Sequence, residues 1–396
     1  MFKYDICVIG GCGRVGLPLS VAFADKGLKV VIYDLDKARM EEIRKGIMPF
    51  MEEGCAEKLK QVINKTLTIS DDRNSITQSK FIITTIGTPV EAHLNPQYTA
   101  MMNFFNDLLP YLKEGQCIIL RSTVYPGTAE RINRLLKEKN TRVNLAFCPE
   151  RIVEGKALQE LANLPQIVSA FDGQGVQEVS DLFKKLTPDI IVMEPLEAEL
   201  AKLFTNTWRY IQFSTANQFF MLANQYNLDF YKIYHGMTYK YSRTQGLPKA
   251  GFAAGPCLFK DTMQLAAFSN NSFFLGYCAM LVNEGLPNYI VQRLKEKTNL
   301  RQKTVGILGM AFKANSDDER DSLAFKLKAI LQIEAKALYC TDPYIKRDYF
   351  ISVEKLIDIC DIIILAAPHD QYRNLNIKKD KVVVDIWNFF NKGGVI

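Results

Sequence analysis

Short apolar runs alternate with helical patterns through the first part of the chain. The five runs are "ICVIG" at 6–10, "KVVIYD" at 29–34, "FIITTIG" at 81–87, "CIILRST" at 117–123 and "LAFCPE" at 145–150. Because buried parallel strands read as continuous apolar runs, this rhythm predicts a parallel sheet covered by helices on both faces. We therefore expect a doubly wound α/β fold.

A long helix is predicted to follow this sheet. No glycine or proline occurs between Pro195 and Gly236. The apolar residues there recur at helical spacing: Leu200, Leu203, Phe204, Trp208 and Ile211. This pattern predicts a helix that begins near Leu196.

The alternation of strands and helices restarts at residue 303 with "KTVGILGMAF" and continues through "KALYCTDP", "CDIIILAAPHD" and "KVVVDIWN". We expect three domains: an α/β domain at 1–195, a mostly helical domain at 196–300, and a smaller α/β domain at 301–396. The helical domain is the best candidate for a dimer interface.

Composition narrows the class of protein. The 396 residues are 48% hydrophobic, and the formal charge of +6 comes from basic residues mixed with acids, so we expect neither nucleic-acid nor membrane binding. The nine cysteines are scattered singly, without a CxxC pair, and are expected to be reduced thiols. No stretch approaches the roughly 20 apolar residues of a membrane helix, and no leader precedes the first strand. We expect a soluble, cytoplasmic protein without a metal site.

A glycine-rich turn follows the first apolar run. It has the G-x-G-x-x-G spacing between a predicted strand and helix, where backbone N–H groups can approach a pyrophosphate. The residues expected to contact the cofactor are Gly11, Gly13, Arg14, Val15 and Gly16. Asp34 ends the next strand, where an acid accepts hydrogen bonds from a ribose, so NAD is favoured over NADP.

Motifs along nearly the whole chain resemble those of the UDP-glucose/GDP-mannose dehydrogenase family. Besides the glycine turn they are "GTP" (87–89), "STVYPGT" (122–128), "CPERIVEG" (148–155), "AELAKLFTNT" (198–207), "GFAAGPCLFKD" (251–261), "NEGLPNYIV" (283–291), "LGMAFKANSDDERDS" (308–322) and "TDP" (341–343). The resemblance implies two Rossmann-like domains joined by a long helix and a helical middle domain. It also implies a homodimer that uses NAD in a four-electron oxidation of the C6 hydroxymethyl group of a UDP-sugar, for polysaccharide biosynthesis.

The resemblance assigns a nucleophile and its helpers. Cys257 occupies the nucleophile position, where a thiolate adds to the aldehyde and the second hydride transfer leaves a thioester. Lys202 and Asn206 lie four residues apart on the predicted helix and would hold the C6 oxygen together. Asp261, with Thr123, would position water and relay protons.

The remaining site residues also come from the resemblance. Glu150 and Glu154 divide two roles, water activation and contact with the cofactor and sugar, in a way that the sequence leaves open. Thr88, Pro89, Thr123 and Glu154 are further expected cofactor contacts. The expected substrate contacts are Glu150, Arg151, Lys202, Asn206, Arg243, Phe252, Gly255, Lys313 and Arg320.

Several residues depart from the family pattern. Ala253 and Ala254 replace glycines before the cysteine, Phe259 stands where proline is common, and Trp387 stands where relatives often carry arginine. UDP-N-acetylhexosamines and UDP-glucose both remain candidate substrates, with GDP-mannose third. A two-electron hydroxyacid dehydrogenase of the 6-phosphogluconate type and an inactive NAD-binding scaffold are the alternative functions.

Overall fold

The computed structural model describes residues 2–87, 98–253, 255–391 and 396. The chain divides into two compact units, Met1–Phe204 and Thr205–Ile396. The point of division lies within one long helix.

The first unit is built on an eight-stranded sheet in the order β3-β2-β1-β4-β5-β6-β7-β8. Its strands are β1 (Tyr4–Ile9), β2 (Val30–Tyr33), β3 (Leu67–Ser70), β4 (Ser79–Thr84), β5 (Cys117–Leu120), β6 (Asn144–Phe147), β7 (Gln166–Ala170) and β8 (Ile190–Val192). Its helices are α1 (Gly16–Asp25), α2 (Lys37–Arg44), α3 (Cys55–Val62), α4 (Asn74–Thr77), α5 (Tyr98–Leu108), α6 (Thr128–Glu138), α7 (Ala157–Asn163) and α8 (Gly173–Phe183). All neighbouring strands are parallel except β6 and β7, which pair antiparallel.

Alternate residues of the central strands enter two separate cores. Ile6 and Val8 of β1 belong to one apolar cluster, whereas Cys7 and Ile9 belong to another. A strand directs successive side chains to opposite faces of its sheet, so both faces of this sheet are covered. The doubly wound fold predicted from the sequence is confirmed.

The long helix α9 spans Pro195–Gln225 and begins one residue before the predicted start. The second unit continues with α10 (Phe230–Thr238), α11 (Leu258–Phe268), α12 (Phe274–Lys297), α13 (Leu323–Glu334) and α14 (Val353–Ile359). Its strands are β9 (Thr304–Leu308), β10 (Ala337–Thr341), β11 (Ile362–Leu365) and β12 (Val382–Val384), in a parallel sheet ordered β10-β9-β11-β12. The predicted second Rossmann-like sheet and helical middle region are therefore also confirmed.

Candidate functional site

The glycine turn between β1 and α1 packs too tightly for side chains at two of its positions. A Cβ added to Gly11 would lie 2.8 Å from Ile32, and one added to Gly16 would lie 2.6 Å from the Cα of Gly11. A Cβ added to Gly13 would meet only the Gly10 carbonyl oxygen, at 3.5 Å, which is an ordinary contact. The two outer glycines thus allow close packing, and the middle one leaves room for a ligand beside the N-terminus of α1.

Asp34 holds this turn from the end of β2. Its Oδ2 accepts a hydrogen bond of 2.8 Å from the Cys12 backbone N–H, and its Oδ1 accepts from the Leu35 and Asp36 N–H groups at 2.8 and 3.1 Å. A carboxylate offers about four acceptor positions, so one remains for a ribose hydroxyl.

A crevice of about 480 Å³ opens above the carboxyl ends of β1, β2 and β4. Residues of the glycine turn, of the segment that follows β2 and of the loop after β4 line it, among them Gly10, Gly13, Asp34, Arg39, Thr85 and Gly87. In a doubly wound sheet the strand order reverses here, and dinucleotides bind at this point. The space, the open glycine and the acid fit NAD. Arg14 and Val15 lie in the same turn, whereas the predicted contacts Thr88 and Pro89 lie outside the described residues.

Gly16→Ala is expected to destabilise the first unit by about 1 to 3 kcal/mol and to weaken NAD binding about tenfold. The added methyl group would meet backbone atoms of Gly10 and Gly11, which cannot turn away as a side chain can. Thermal unfolding and calorimetric NAD titration measure the two effects. Gly13→Ala is the matched control for stability alone, because its methyl group fits within the fold although it would take up space left for the ligand, and equal melting temperatures for the two variants would contradict the prediction.

Glu150 follows β6 and is bound within the first unit. Two nitrogens of the fully buried Arg121 guanidinium lie 3.0 and 2.7 Å from its Oε2. Its Oε1 accepts hydrogen bonds from the N–H groups of Arg151 and Ile152 at 2.7 and 3.0 Å. Arg121 also donates to Cys148 and Gln166. This network gives Glu150 a structural role beside the catalytic one that the resemblance implies.

Glu154 and Arg151 have different surroundings. Glu154 lies 4.0 Å from the Arg14 guanidinium of the glycine turn, which itself stacks on Phe50. Arg151 donates to the Pro165 carbonyl, and its burial lowers its pKa. The position of Glu154 beside the glycine turn is therefore compatible with its predicted contact to the cofactor. That role, and the substrate contact expected of Arg151, stay predictions.

The loop 122–128, which carries Thr123, ends at the N-terminus of α6. There Glu199 of α9 accepts hydrogen bonds from the N–H groups of Gly127 and Ala129 at 2.5 and 2.8 Å. Burial raises the pKa of Glu199 to about 7. Glu199 thus joins the start of α9 to this loop three residues before Lys202.

We expect the stability contribution of Glu199 to depend on pH. Its pKa in the folded protein lies above the unfolded value, so its contribution is complete below about pH 4.5 and is lost as the pH rises through 7. Relative to Glu199→Gln, the wild-type unfolding free energy should fall by about 3 kcal/mol between pH 4.5 and 8. Urea unfolding of both proteins across this range measures it. Glu138→Gln, at an exposed position of α6, should keep the wild-type slope, and parallel curves for wild type and Glu199→Gln would exclude the effect.

The second unit brings Asn206 and Asp261 together. The Asn206 Nδ2 donates to the Asp261 Oδ2 at 2.6 Å, and both side chains are buried. The Asp261 Oδ1 accepts no hydrogen bond from the described residues and lies 3.8 Å from the Lys260 ammonium. Lys202 is half-buried one turn before Asn206 on α9, as the predicted spacing requires. A buried carboxylate oxygen without a donor is an acceptor for a substrate hydroxyl or a water.

Cys257 is the N-cap residue of α11, and it is exposed, as is Cys278. The other seven cysteines, all described, are buried. A thiolate is favoured at a helix N-terminus because the first N–H groups and the helix dipole stabilise negative charge. The same helix carries Asp261 one turn later, whose N–H donates to the Cys257 carbonyl at 2.9 Å.

The other predicted substrate contacts are spread over the second unit. Lys313 is half-buried in the loop after β9, beside the Phe312 ring. Arg320 of the same loop is paired with Asp318, whose Oδ1 lies 2.9 Å from its Nε. Arg243 is exposed on a short 3₁₀ helix and stacks over Tyr241. These placements leave the predicted substrate roles untested.

Two predicted contacts of the segment before Cys257 are buried. Phe252 lies in the apolar core of the second unit, and Gly255 adopts φ +103°, where a Cβ would lie 2.5 Å from the Phe312 ring. Their packing accounts for an aromatic residue and a glycine at these positions without a ligand. Ala254 lies outside the described residues.

Sequence reasoning missed the buried polar partners of the site: Arg121, Glu199, Asn217 and Asn283. A charged residue at the end of the apolar run "CIILR" was the available signal for Arg121, since such residues are buried only when paired. The two asparagines lie on helices and read as ordinary surface positions.

The described residues were also compared with the requirements of a metal site and of a membrane-spanning helix. Nowhere in them do three or more histidine, cysteine, aspartate or glutamate side chains converge as a metal ion would require. In the same part of the chain, no helix has the length and apolar character needed to cross a bilayer.

Three domain models of one family match the chain in order. The NAD-binding domain of the UDP-glucose/GDP-mannose dehydrogenase family matches residues 4–187, its central domain matches 196–283, and its UDP-binding domain matches 306–392. The Lys202, Asn206, Cys257 and Asp261 positions all fall within the central-domain match.

Individual relatives extend over almost the whole chain. The UDP-N-acetyl-D-mannosamine dehydrogenase of Methanocaldococcus jannaschii is 27% identical over 401 residues, covering 98% of this chain and 93% of its own. The structure of the UDP-D-ManNAc dehydrogenase from Pyrococcus horikoshii superposes with a TM-score of 0.90 at 26% identity, covering 99% of this chain and 97% of that one.

The structure of a UDP-glucose dehydrogenase from Pyrobaculum islandicum matches with the same TM-score of 0.90 and the same 26% identity, covering 99% of this chain and 96% of that one. The family resemblance and the NAD prediction made from the motifs are confirmed. With its NAD-binding, central and UDP-binding regions all matched in chain order, the protein belongs to the UDP-glucose/GDP-mannose dehydrogenase family and is an NAD-dependent oxidoreductase.

Proposed function

We propose that the protein oxidises the C6 hydroxymethyl group of UDP-N-acetyl-D-mannosamine to the carboxylate, giving the UDP-uronate. The match to the UDP-binding domain supports a UDP-sugar, and the M. jannaschii and P. horikoshii relatives support this sugar. The single observation that carries the proposal is the exposed Cys257 thiol at the N-terminus of α11, one turn from Asp261, which is bonded to Asn206.

The reaction removes four electrons in two steps, and bound NAD supplies the acceptor for each hydride. In the first step C6 loses a hydride and the hydroxyl proton, which gives an aldehyde. The Cys257 thiolate then adds to the aldehyde carbon, and the oxygen takes a proton to form a thiohemiacetal. Loss of a second hydride and of that proton leaves a thioester. Water cleaves the thioester, so one alcohol, two NAD⁺ and one water yield one carboxylate, two NADH and three protons.

The helix α9 would hold the reacting oxygen. Lys202 and Asn206 are one helical turn apart, and an ammonium and an amide N–H₂ both donate to an oxygen that gains negative charge in each addition step. Asn206 is already oriented by its bond to Asp261. The Asp261 Oδ1, without a donor among the described residues, would accept the hydrogen of the attacking water or of the substrate hydroxyl.

The family resemblance also gives roles to residues in loops of the first unit. Glu154, beside Arg14 of the glycine turn, would contact the cofactor. Thr123 and Glu150 would position water for thioester cleavage, with Glu150 held in place by Arg121. Lys313 and Arg320 would face the diphosphate because fixed cations suit phosphate oxygens.

A substrate panel tests this function. The full chain is incubated with NAD and UDP-N-acetyl-D-mannosamine, UDP-N-acetylglucosamine, UDP-N-acetylgalactosamine, UDP-glucose or GDP-mannose, and NADH and uronate are quantified. We expect two NADH per sugar and the highest kcat/KM with UDP-N-acetyl-D-mannosamine. One NADH per substrate would support a two-electron dehydrogenase, and NAD binding without oxidation of any sugar would support a scaffold.

UDP-glucose is the second candidate. The P. islandicum UDP-glucose dehydrogenase matches this chain with the same TM-score and identity as the P. horikoshii enzyme. A kcat/KM for UDP-glucose above that for every N-acetylhexosamine would select it.

We further propose that the enzyme acts in the cytoplasm as a homodimer. Large apolar side chains are exposed on the helices of the second unit, and Trp208, Leu222, Phe274, Leu275 and Leu281 are among them. Exposed apolar side chains are typical of an interface where they form one patch. Sedimentation velocity at micromolar concentration tests the dimer, which a monomeric species would contradict, and recovery of the protein in a membrane or extracellular fraction would contradict the location.

A further inference from the structure

One buried amide holds the first residue of the cysteine loop, which we define as residues 251–257. The Asn217 Oδ1 accepts a hydrogen bond from the Gly251 N–H at 2.8 Å, and its Nδ2 donates to the Gly251 carbonyl at 3.0 Å. Asn217 lies on α9 and is fully buried. Both backbone polar groups of Gly251 are therefore fixed by a single side chain.

A second buried amide fixes the first. The Asn217 Nδ2 also donates to the Asn283 Oδ1 at 2.9 Å, and the Asn283 Nδ2 donates to the Tyr210 carbonyl at 3.0 Å. Tyr210 lies one turn after Asn206 on the same helix. The chain of hydrogen bonds thus runs from the helix that carries Asn206, through α12, back to the loop that carries the thiol. Replacing Asn217 or Asn283 would leave the buried polar groups that it bonds without a hydrogen-bond partner.

Two aromatic rings also pack against glycines of the loop. A Cβ on Gly251 would lie 2.2 Å from the Trp387 ring, so the ring occupies the space that a side chain would need. The Gly255 Cα packs in the same way against Phe312. Tyr231 donates to the Ile386 carbonyl, which holds the segment that carries Trp387. Gly251 is therefore held by the Asn217 amide and the Trp387 ring, and Gly255 packs against the Phe312 ring.

Apart from Phe252, which packs in the apolar core, and Pro256, the described residues of the loop before Cys257 are glycine and alanine. Gly251, Ala253 and Gly255 precede Cys257, and glycine adds backbone freedom that folding must restrict. The hydrogen bonds to Gly251 from outside the loop therefore add to the anchoring that the buried Phe252 side chain supplies. A displacement of about 1 Å in a catalytic group can reduce a rate about 100-fold.

We infer that Asn217, acting through Gly251 and supported by Asn283, is a positioning residue that sets the place of the Cys257 thiol relative to Asn206 and Asp261. The inference rests on the proposed function in that Cys257 is the nucleophile. Trp387, which departs from the family pattern, packs against the same glycine, Gly251.

The test compares Asn217→Ser with Asn224→Ser in the full chain. Asn224 is a matched control because it is also a fully buried asparagine on α9, whereas its bonds to the described residues include those with Phe220, Arg293 and Ile396 and none with residues 251–253 or 255–257. We expect Asn217→Ser to lower kcat for UDP-sugar oxidation about 10- to 100-fold, with KM for the sugar and for NAD within about threefold of wild type. Asn224→Ser should keep kcat within about threefold, although both variants should lose a similar amount of melting temperature.

Thiol alkylation gives a readout that does not depend on turnover. Iodoacetamide labelling followed by mass spectrometry compares the rate at Cys257 with that at Cys278, the other exposed cysteine. We expect the ratio of the two rates to change at least threefold in Asn217→Ser and to stay unchanged in Asn224→Ser. An unchanged ratio and kcat in Asn217→Ser, or equal losses in both variants, would overturn the inference.

Two further results separate this inference from the proposed function. If wild type oxidises no nucleotide sugar, the proposed function fails, whereas the alkylation ratio still decides whether Asn217 places the thiol. If Asn217→Ser does not fold, Asn283→Ser removes the bonds to Asn217 and to the Tyr210 carbonyl but leaves both bonds between Asn217 and Gly251, so it should shift kcat and the alkylation ratio in the same direction by a smaller factor. An Asn283→Ser protein with wild-type values for both would then overturn the inference.

Discussion

Cys257→Ser is expected to stop formation of the uronate while leaving NAD binding intact. A serine hydroxyl is almost wholly protonated near neutral pH, so it lacks the nucleophilicity that the thiolate brings to the aldehyde carbon. Loss of a nucleophile typically costs about 10³-fold or more in kcat. We expect at most one NADH per UDP-sugar from the variant, with the aldehyde recovered as an oxime when hydroxylamine is present.

Cys278→Ser is the matched control for this experiment. Cys278 is the other exposed cysteine of the chain, and it lies on α12 outside the cysteine loop. Its replacement should leave kcat within about twofold of wild type. Acid quench of the wild type during turnover should also show a sugar adduct on the peptide that contains Cys257. Two NADH per sugar at an undiminished rate from Cys257→Ser would exclude the thioester route.

The sequence predicted the central strands of the first sheet better than the strands towards its edges. The strands β1, β2, β4, β5 and β6 overlap the apolar runs named from the sequence, because buried central strands need continuous apolar residues. The strand β7 was not predicted, and it pairs antiparallel to β6. A buried strand presents the same residues in either direction, so its orientation depends on the connection and not on its own composition. The short strands β3 and β8, at the two edges, gave too few residues for a pattern.

In the candidate site, too, short sequence motifs were predicted, whereas residues that pair over long sequence separations were not. The glycine turn, the Lys202–Asn206 spacing and the cysteine loop are short motifs, and each can be read within about ten residues. The residues that hold them are paired over long separations, such as Arg121 with Glu150 and Asn217 with Asn283. An asparagine on a helix is usually exposed. Asn217 is buried because α9 contacts α12 and the cysteine loop at this position. Pairings of this kind are set by the tertiary structure and leave no periodic pattern in the sequence.

Arg121→Met is expected to have the largest effect on stability. The variant keeps a side chain of similar length but leaves the buried Glu150 carboxylate without its cation, and it removes donors from Cys148 and Gln166. Breaking a buried ion pair on one side typically costs about 3 to 5 kcal/mol, because the remaining charge stays buried without compensation. Both tryptophans, Trp208 and Trp387, lie in the second unit, so fluorescence would report on the wrong part of the chain. Hydrogen exchange of peptides from β5 and β6, followed by mass spectrometry during urea unfolding, measures the loss where it occurs.

The cause of that loss can be separated from a general effect of removing an arginine. Arg134→Met removes a cation that pairs with Glu130 at 3.3 Å on the surface, where both side chains are about two-thirds exposed, and should cost less than about 1 kcal/mol. The double variant Arg121→Met/Glu150→Leu removes both buried charges, so it should be more stable than Arg121→Met alone by about 1 kcal/mol or more. A double variant no more stable than the single one would show that the bonds to Cys148 and Gln166, and not the charge of Glu150, determine the loss. An Arg121→Met protein within about 1 kcal/mol of wild type would mean that the buried pair contributes no more than a surface one.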